Sequence, residues 1–208
     1  MESRRLAVCM AHYKSKRFGG LFGTPDFGFE ERNLDFLYDA KNANWLWFWD
    51  VALESIDALY ELKVVREIGI NPKRPGIDFS RLPSLRAVTN HWIRADRGIG
   101  GSRITRYRLL HFNPRAKQFG QAEMPSRVEQ LEMIWANPAS LQGLPILPCL
   151  RELQLHRCPN LRDLSSLPMI APALETLIIT SAPRVNAEHG VRDHPNLSRA
   201  QVNGIAII

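Results

Sequence analysis

Catalysis needs a nucleophile beside a base, a pair of carboxylates or a set of metal ligands, and the 208-residue chain offers none of these as a local motif. Its six histidines are scattered, and the one close pair, His189 and His194 with Glu188 and Asp193, has no known ligand spacing and reads as solvated side chains. Three cysteines (Cys9, Cys149, Cys158) are an odd number with no Cys-x-x-Cys pair, which predicts neither a zinc ribbon nor a disulfide framework and fits a reducing compartment. Gly98-Ile99-Gly100-Gly101 neither follows a clear strand nor opens a helix, so it is not expected to cradle phosphate. What remains is recognition chemistry. Trp45, Trp47 and Trp49 alternate with Leu46 and Phe48, and Arg106 and Arg108 flank Tyr107. Two-residue spacing puts each set on one face of a strand. The expectation is a protein without catalysis, metal or cofactor.

The strands that must hold these residues emerge from an internal period. In LPCLRELQLHRCPNL, Leu150, Leu153, Leu155 and Cys158 stand at relative positions 0, 3, 5 and 8. The two-residue step is strand periodicity, and the flanking three-residue steps mark bends out of the strand. The same template recurs from Ala43, Val65, Leu85, Ile104, Val128, Leu174 and Leu197, in steps of 19 to 24 residues. Of the 24 positions at offsets 0, 3 and 5, only Asn90 is not apolar, where a 45% apolar chain would give about 11 by chance.

This pattern resembles the leucine-rich repeat, L-x-x-L-x-L-x-x-N/C-x-L. The resemblance covers about residues 43–205 and implies an α/β solenoid, a curved parallel sheet whose neighbouring units complete each other's core. The asparagine or cysteine slot is met only by Cys158, expected to be a packed turn residue, and is otherwise held by Val51, Lys73, Ile93, Phe112, Ala136, Ala182 and Ile205, which predicts irregular turns. Connectors such as NPKRPGID (71–78) and NPASLQGLPILP (137–148) predict irregular or single-turn helical returns. Residues 1–42 fall outside the template; their glycine-rich FGGLFGTPDFGFEE reads as loop, and the segment is expected to cap the first of about eight repeats in a solenoid over 43–208, the whole forming one structural domain. The apolar tail Ile205–Ile208 needs cover from its own fold or from a second subunit.

Offsets 2, 4 and 6 point away from the core, onto a concave face. The partner-binding residues expected there are Trp45, Trp47, Trp49, His91, Arg106, Arg108, Glu132, Glu152 and His156. For the tryptophans, the favoured reading is burial beneath residues 1–42, because strands covered on both sides read as continuous apolar runs; the alternative is an exposed aromatic patch that anchors a partner. Charge is uneven: residues 73–117 carry 11 Lys or Arg against Asp78 and Asp96, and residues 26–61 carry nine acids against Arg32 and Lys41. Either the two segments neutralise one another, or the basic one steers a partner with an acidic patch.

A net charge of +6 and no recognised nucleic-acid motif beside the basic residues make nucleic acid the weakest partner class. The run Leu6–Met10 is shorter than a signal-peptide core and is followed by basic residues, and no stretch is long enough to span a bilayer, so the chain is expected to be cytoplasmic with no membrane partner. Since leucine-rich repeats mostly recognise proteins, the resemblance implies a non-enzymatic protein-binding module, in finer form an inhibitor or immunity-type protein. The alternative is a structural protein that self-associates, forming a homodimer through the C-terminal edge.

Overall fold

A computed structural model describes residues 1–16, 18–120, 123–187 and 189–208, without the side chain of Pro72. The chain forms two compact units, Met1–Arg103 and Ile104–Ile208. Unit 1 opens with a 3₁₀ turn (Ser3–Arg5) and helix α1 (Leu6–Lys16). It continues through strands β1 (Gly20–Gly23), β2 (Trp45–Ala52), β3 (Glu67–Lys73) and β4 (Ala87–His91). Unit 2 holds β5 (Arg106–Leu110), β6 (Gln130–Ile134), β7 (Glu152–His156), the one-turn helix α2 (Leu167–Ile170), β8 (Thr176–Thr180), β9 (Arg199–Val202) and β10 (Ile205–Ala206). Among the described residues, no helix is long and apolar enough to cross a membrane.

The architecture is the leucine-rich-repeat-like α/β arrangement that the period predicts. Each strand from β2 to β9 begins two residues after a template start. Within unit 1 the strands run parallel in chain order, aligning Leu21, Leu46, Ile68 and Val88 across the sheet. Unit 2 aligns Tyr107, Leu131, Leu153, Leu177 and Ala200 in the same way. At offsets 0, 3 and 5 every residue is buried, none more than 7% exposed, because the register shared over these offsets brings equivalent slots together and leaves one strand's apolar side chains covered by the next.

The returns are short because they are 3₁₀-like. Ile56, Leu59 and Leu62, then Phe79 and Leu82, then Leu141, Leu144 and Leu147, recur every third residue and are buried. Three residues per turn superimpose such positions on one face, which closes the core opposite the strands. Asp35–Asp39, Asp57–Glu61 and Phe79–Arg81 are 3₁₀ segments of this kind, the last capped where the Asp78 carboxylate accepts from the Ser80 amide.

Four expectations are corrected. The glycine-rich stretch is not all loop, since Gly20–Gly23 is a strand in register with Trp45–Phe48. Its glycines are there because the Trp45 ring occupies the space a Cβ on Gly20 would need, 2.2 Å away, and Phe29 does the same at Gly23, 2.8 Å away. The turns are regular in five repeats: Asp50, His111, Trp135, Arg157 and Ser181 all take φ between 53 and 56°, and the slot after each is buried. His194 is not at the surface; it is 5% exposed, with Nε2 3.0 Å from the Ala171 carbonyl and Nδ1 accepting from the Asn196 amide. Glu188, beside His189 in the sequence, lies outside the described residues. The acidic and basic segments are not joined by ion pairs among the described residues. Arg74 and Arg97 pair instead with Asp96 and Asp78 of their own segment.

Asn90, the single polar slot, has a specific cause. The buried Arg74 side chain bonds Asp96 through two N–H groups at 2.7 and 2.8 Å, and Asn90 Oδ1 at 2.6 Å. Its other N–H donors reach the carbonyls of Ile70 and Pro75, while Asn90 Nδ2 and the Ile77 amide bond Asp96. All five guanidinium donors are used, so this buried pair is fully compensated and the slot must be polar to complete it.

The tail folds back on its own unit. Asn203 and Gly204 take φ of 50 and 88°, the two-residue hairpin turn that Asn-Gly favours, and β10 pairs antiparallel with β9. Ile205 is nevertheless 67% exposed.

Candidate functional site

Two distinct surfaces carry the residues singled out from the sequence. In unit 1, β2 presents Trp45, Trp47 and Trp49 on the face away from the core, and residues 1–42 do not bury them: Trp45 is 41% and Trp49 39% exposed. The favoured sequence reading is overturned because β1 contributes Gly20 beneath the edge of Trp45 rather than a layer over it. On the other side, Gly69 of β3 admits the Trp47 ring, which a Cβ would meet at 2.7 Å. Trp47 and Trp49 stack with centroids 5.6 Å apart and planes within 7°. Phe22, opposite Trp47 in register and 36% exposed, extends the patch and meets Phe27 edge-on at 6.0 Å. His91, on β4, is half-buried, and its amide donates to Asn71 Oδ1 at 2.8 Å.

Unit 2 gathers the polar residues. Arg106 and Arg108 are exposed on β5, Glu132 lies on β6, and Glu152 and His156 lie on β7. Arg108 Nε donates to the Glu132 carboxylate. His156 sits with Nδ1 2.7 Å from Thr180 Oγ1, Nε2 3.0 Å from Gln154 Oε1 and Nε2 3.8 Å from Glu132 Oε1. Gln154 in turn donates to Glu152. These bonds fix rotamers across four neighbouring strands in advance of any partner, which lowers the ordering cost of binding.

A row at the strand ends of unit 2 was invisible to the face rows at offsets 2, 4 and 6. His111, Trp135 and Arg157 stand at offset 7, each in the left-handed conformation, with amides donating to carbonyls of the next strand at 2.9 to 3.0 Å. The His111 and Trp135 rings stack at 4.5 Å, and the Arg157 guanidinium lies 4.9 Å from the Trp135 ring centre. Those separations match the spacing of paired strands, about 4.8 Å, so the ladder inherits its geometry from the sheet. Left-handed backbone disfavours bulky residues by roughly 1–2 kcal/mol. The signal in the sequence was the position itself, directly before the slot that ends the strand.

The remaining features hold no catalytic set. In unit 1 a polar cavity of about 440 Å³ is lined by Glu54, Asp57, Tyr60, Asp78, Arg81 and Arg97 among others. There the Ser80 hydroxyl and, after it, Arg97 hold the Asp78 carboxyl below the ordinary carboxylate range. Arg81 lies flat on Tyr60, 3.7 Å from the ring centre. All three cysteines are free, and burial pushes the Cys158 thiol up, away from a reactive thiolate. Among the described residues, no group of three or more His, Cys, Asp or Glu is placed to hold a metal ion.

The chain is similar to the crystal structure of the leucine-rich repeat domain of APL1B, with a TM-score of 0.42 and 17% sequence identity over 81% of this chain. It spans less than half of that one, 44%. No protein-family model matches the chain, and no curated protein matches it in sequence.

Proposed function

We propose that the chain is a non-enzymatic protein-binding module whose partner is anchored on the open strand face. One observation carries this reading: three tryptophans stand on one face of a strand, Trp47 and Trp49 stacked on each other, while Trp45 and Trp49 remain about 40% exposed. A folded chain gains by burying indole, and exposed aromatic residues in well-defined settings are the side chains that dominate protein interfaces. In unit 2 the exposed Arg106, beside the pre-bonded Arg108, Glu132, Glu152 and His156, supplies a cation suited to an acidic patch on the partner, and the pre-bonded residues supply polar contacts around it. In its finer form the module is an inhibitor or immunity-type protein, and the captured partner would then be an enzyme that loses activity when bound.

The test is quantitative affinity capture from the native source, with melting temperature measured in parallel. Trp45→Ala/Trp49→Ala should lose the captured partner, corresponding to at least about 2 kcal/mol or roughly 30-fold in affinity for hot-spot tryptophans. Arg106→Ala/Arg108→Ala/Glu132→Ala should weaken capture to a smaller extent. Undiminished capture by both variants rejects the open face as the binding surface.

A second reading, self-association, is favoured by the exposed apolar strand β10. It requires a dimer mass in light scattering that Ile205→Asp reduces to that of a monomer; a monomeric wild type removes it.

A further inference from the structure

We infer that the strand-end rim of unit 2, centred on the His111, Trp135 and Arg157 stack, is a second docking surface, and that its occupant is an acidic segment of a partner protein. The connectors leaving β5 to β8, residues 111–117, 135–141, 157–163 and 181–187, carry Arg115, Lys117, Arg157, Arg162 and Arg184 against the single acid Asp163. All five basic residues are exposed. Among the described residues none of the five is in an ion pair, whereas Arg108 on the adjoining face is paired with Glu132. Asp163 is one carboxylate against five cations, and its Oδ1 accepts from the Ser165 amide at 2.8 Å instead of pairing with any of them among the described residues. The rim is thus a line of uncompensated positive charge suited to Asp and Glu side chains.

The residues at its centre point the same way. Where the left-handed position serves only the turn, it is filled by Asp50, Ser181 or the Asn203-Gly204 pair, short residues that tolerate it. On three successive strands it is filled by His111, Trp135 and Arg157, and Trp135 stays 41% exposed. Strain kept at a half-exposed Trp and Arg marks a surface built for contact. Arg157, laid across the indole, has lost much of its rotamer freedom and offers a restrained guanidinium for two-pronged carboxylate binding. His111 and Arg157 flank the indole, so neither face is open for a nucleobase to stack on, which favours an acidic peptide over nucleic acid.

The experiment is fluorescence anisotropy of the whole chain with a fluorescein-labelled deca-glutamate peptide, and separately with a dT oligonucleotide of equal charge. Deca-glutamate should bind saturably, and Arg157→Gln and Trp135→Asn should each weaken it about tenfold or more, the equivalent of one good charge-assisted contact. Arg199→Gln, which removes an exposed charge from the face, and Trp45→Ala/Trp49→Ala should stay within about twofold of the wild type, so failure here is separable from failure of the open-face reading. Asn tolerates the left-handed backbone, so Trp135→Asn should fold; if it does not, Arg157→Gln alone decides. Absence of saturable peptide binding, equal weakening by Arg199→Gln, or tighter binding of the oligonucleotide overturns the inference.

Discussion

Units 1 and 2 are built on one repeat and differ in what they do with it. Unit 2 is regular inside and polar outside: its slots are all apolar, its turns share one left-handed residue, and its open face carries two bonded groups, Arg108 with Glu132, and Glu152 through Gln154 and His156 to Thr180. Unit 1 reverses this. Its core contains a charged triad, Arg74, Asp96 and Asn90, while its open face carries the exposed aromatic row. The repeat therefore fixes where side chains go but not which chemistry they bring. Apolar contact is concentrated on one unit and polar contact on the other.

The largest effect expected from breaking this contrast is at Arg74. Arg74→Ala leaves Asp96 buried without its partner and should cost about 3–5 kcal/mol by chemical denaturation. A loss below about 1 kcal/mol would mean that the pair is hydrated and unit 1 has no charged core. Leu153→Ala, the corresponding core deletion in unit 2, should cost about 2–5 kcal/mol. An unchanged midpoint there would refute the register of β6, β7 and β8.

Most of the repeat was legible because strand alternation is a local signal: each strand start from β2 to β9 follows from apolar spacing alone. What escaped had causes distant in sequence. Gly20 and Gly69 look like loop residues or weak strand formers until the rings of Trp45 and Trp47 are placed against them. Asn90 was visible as an odd slot, yet its partners Arg74 and Asp96 lie outside the template. The rim of His111, Trp135 and Arg157 was hidden because left-handed positions are normally read from Gly, Asn or Asp. Of the candidate site, the strand face that holds the tryptophans and Arg108, Glu132 and His156 followed from the spacing, whereas the exposure of the tryptophans ran against the favoured reading and Phe22, Phe27 and the rim were not foreseen.

Smaller effects sharpen the comparison of the faces. Gly69→Ala puts a Cβ 2.7 Å from the Trp47 ring and should cost about 1–3 kcal/mol by overpacking while changing tryptophan emission. Unaltered emission and stability would show that the row is not seated as described. For the partly exposed pair of Arg108 and Glu132, a double-mutant cycle with Arg108→Gln and Glu132→Gln should return a coupling of about 0.2–1 kcal/mol. A coupling well above that range would make the pair a structural element and not a surface arranged for a partner.

The most direct measurement is hydroxyl-radical footprinting of the captured complex against the free chain. The predicted result is strong protection of Trp45 and Trp49 when the partner is bound. Equal oxidation of both tryptophans in the free and bound states would contradict the open face as the seat of recognition.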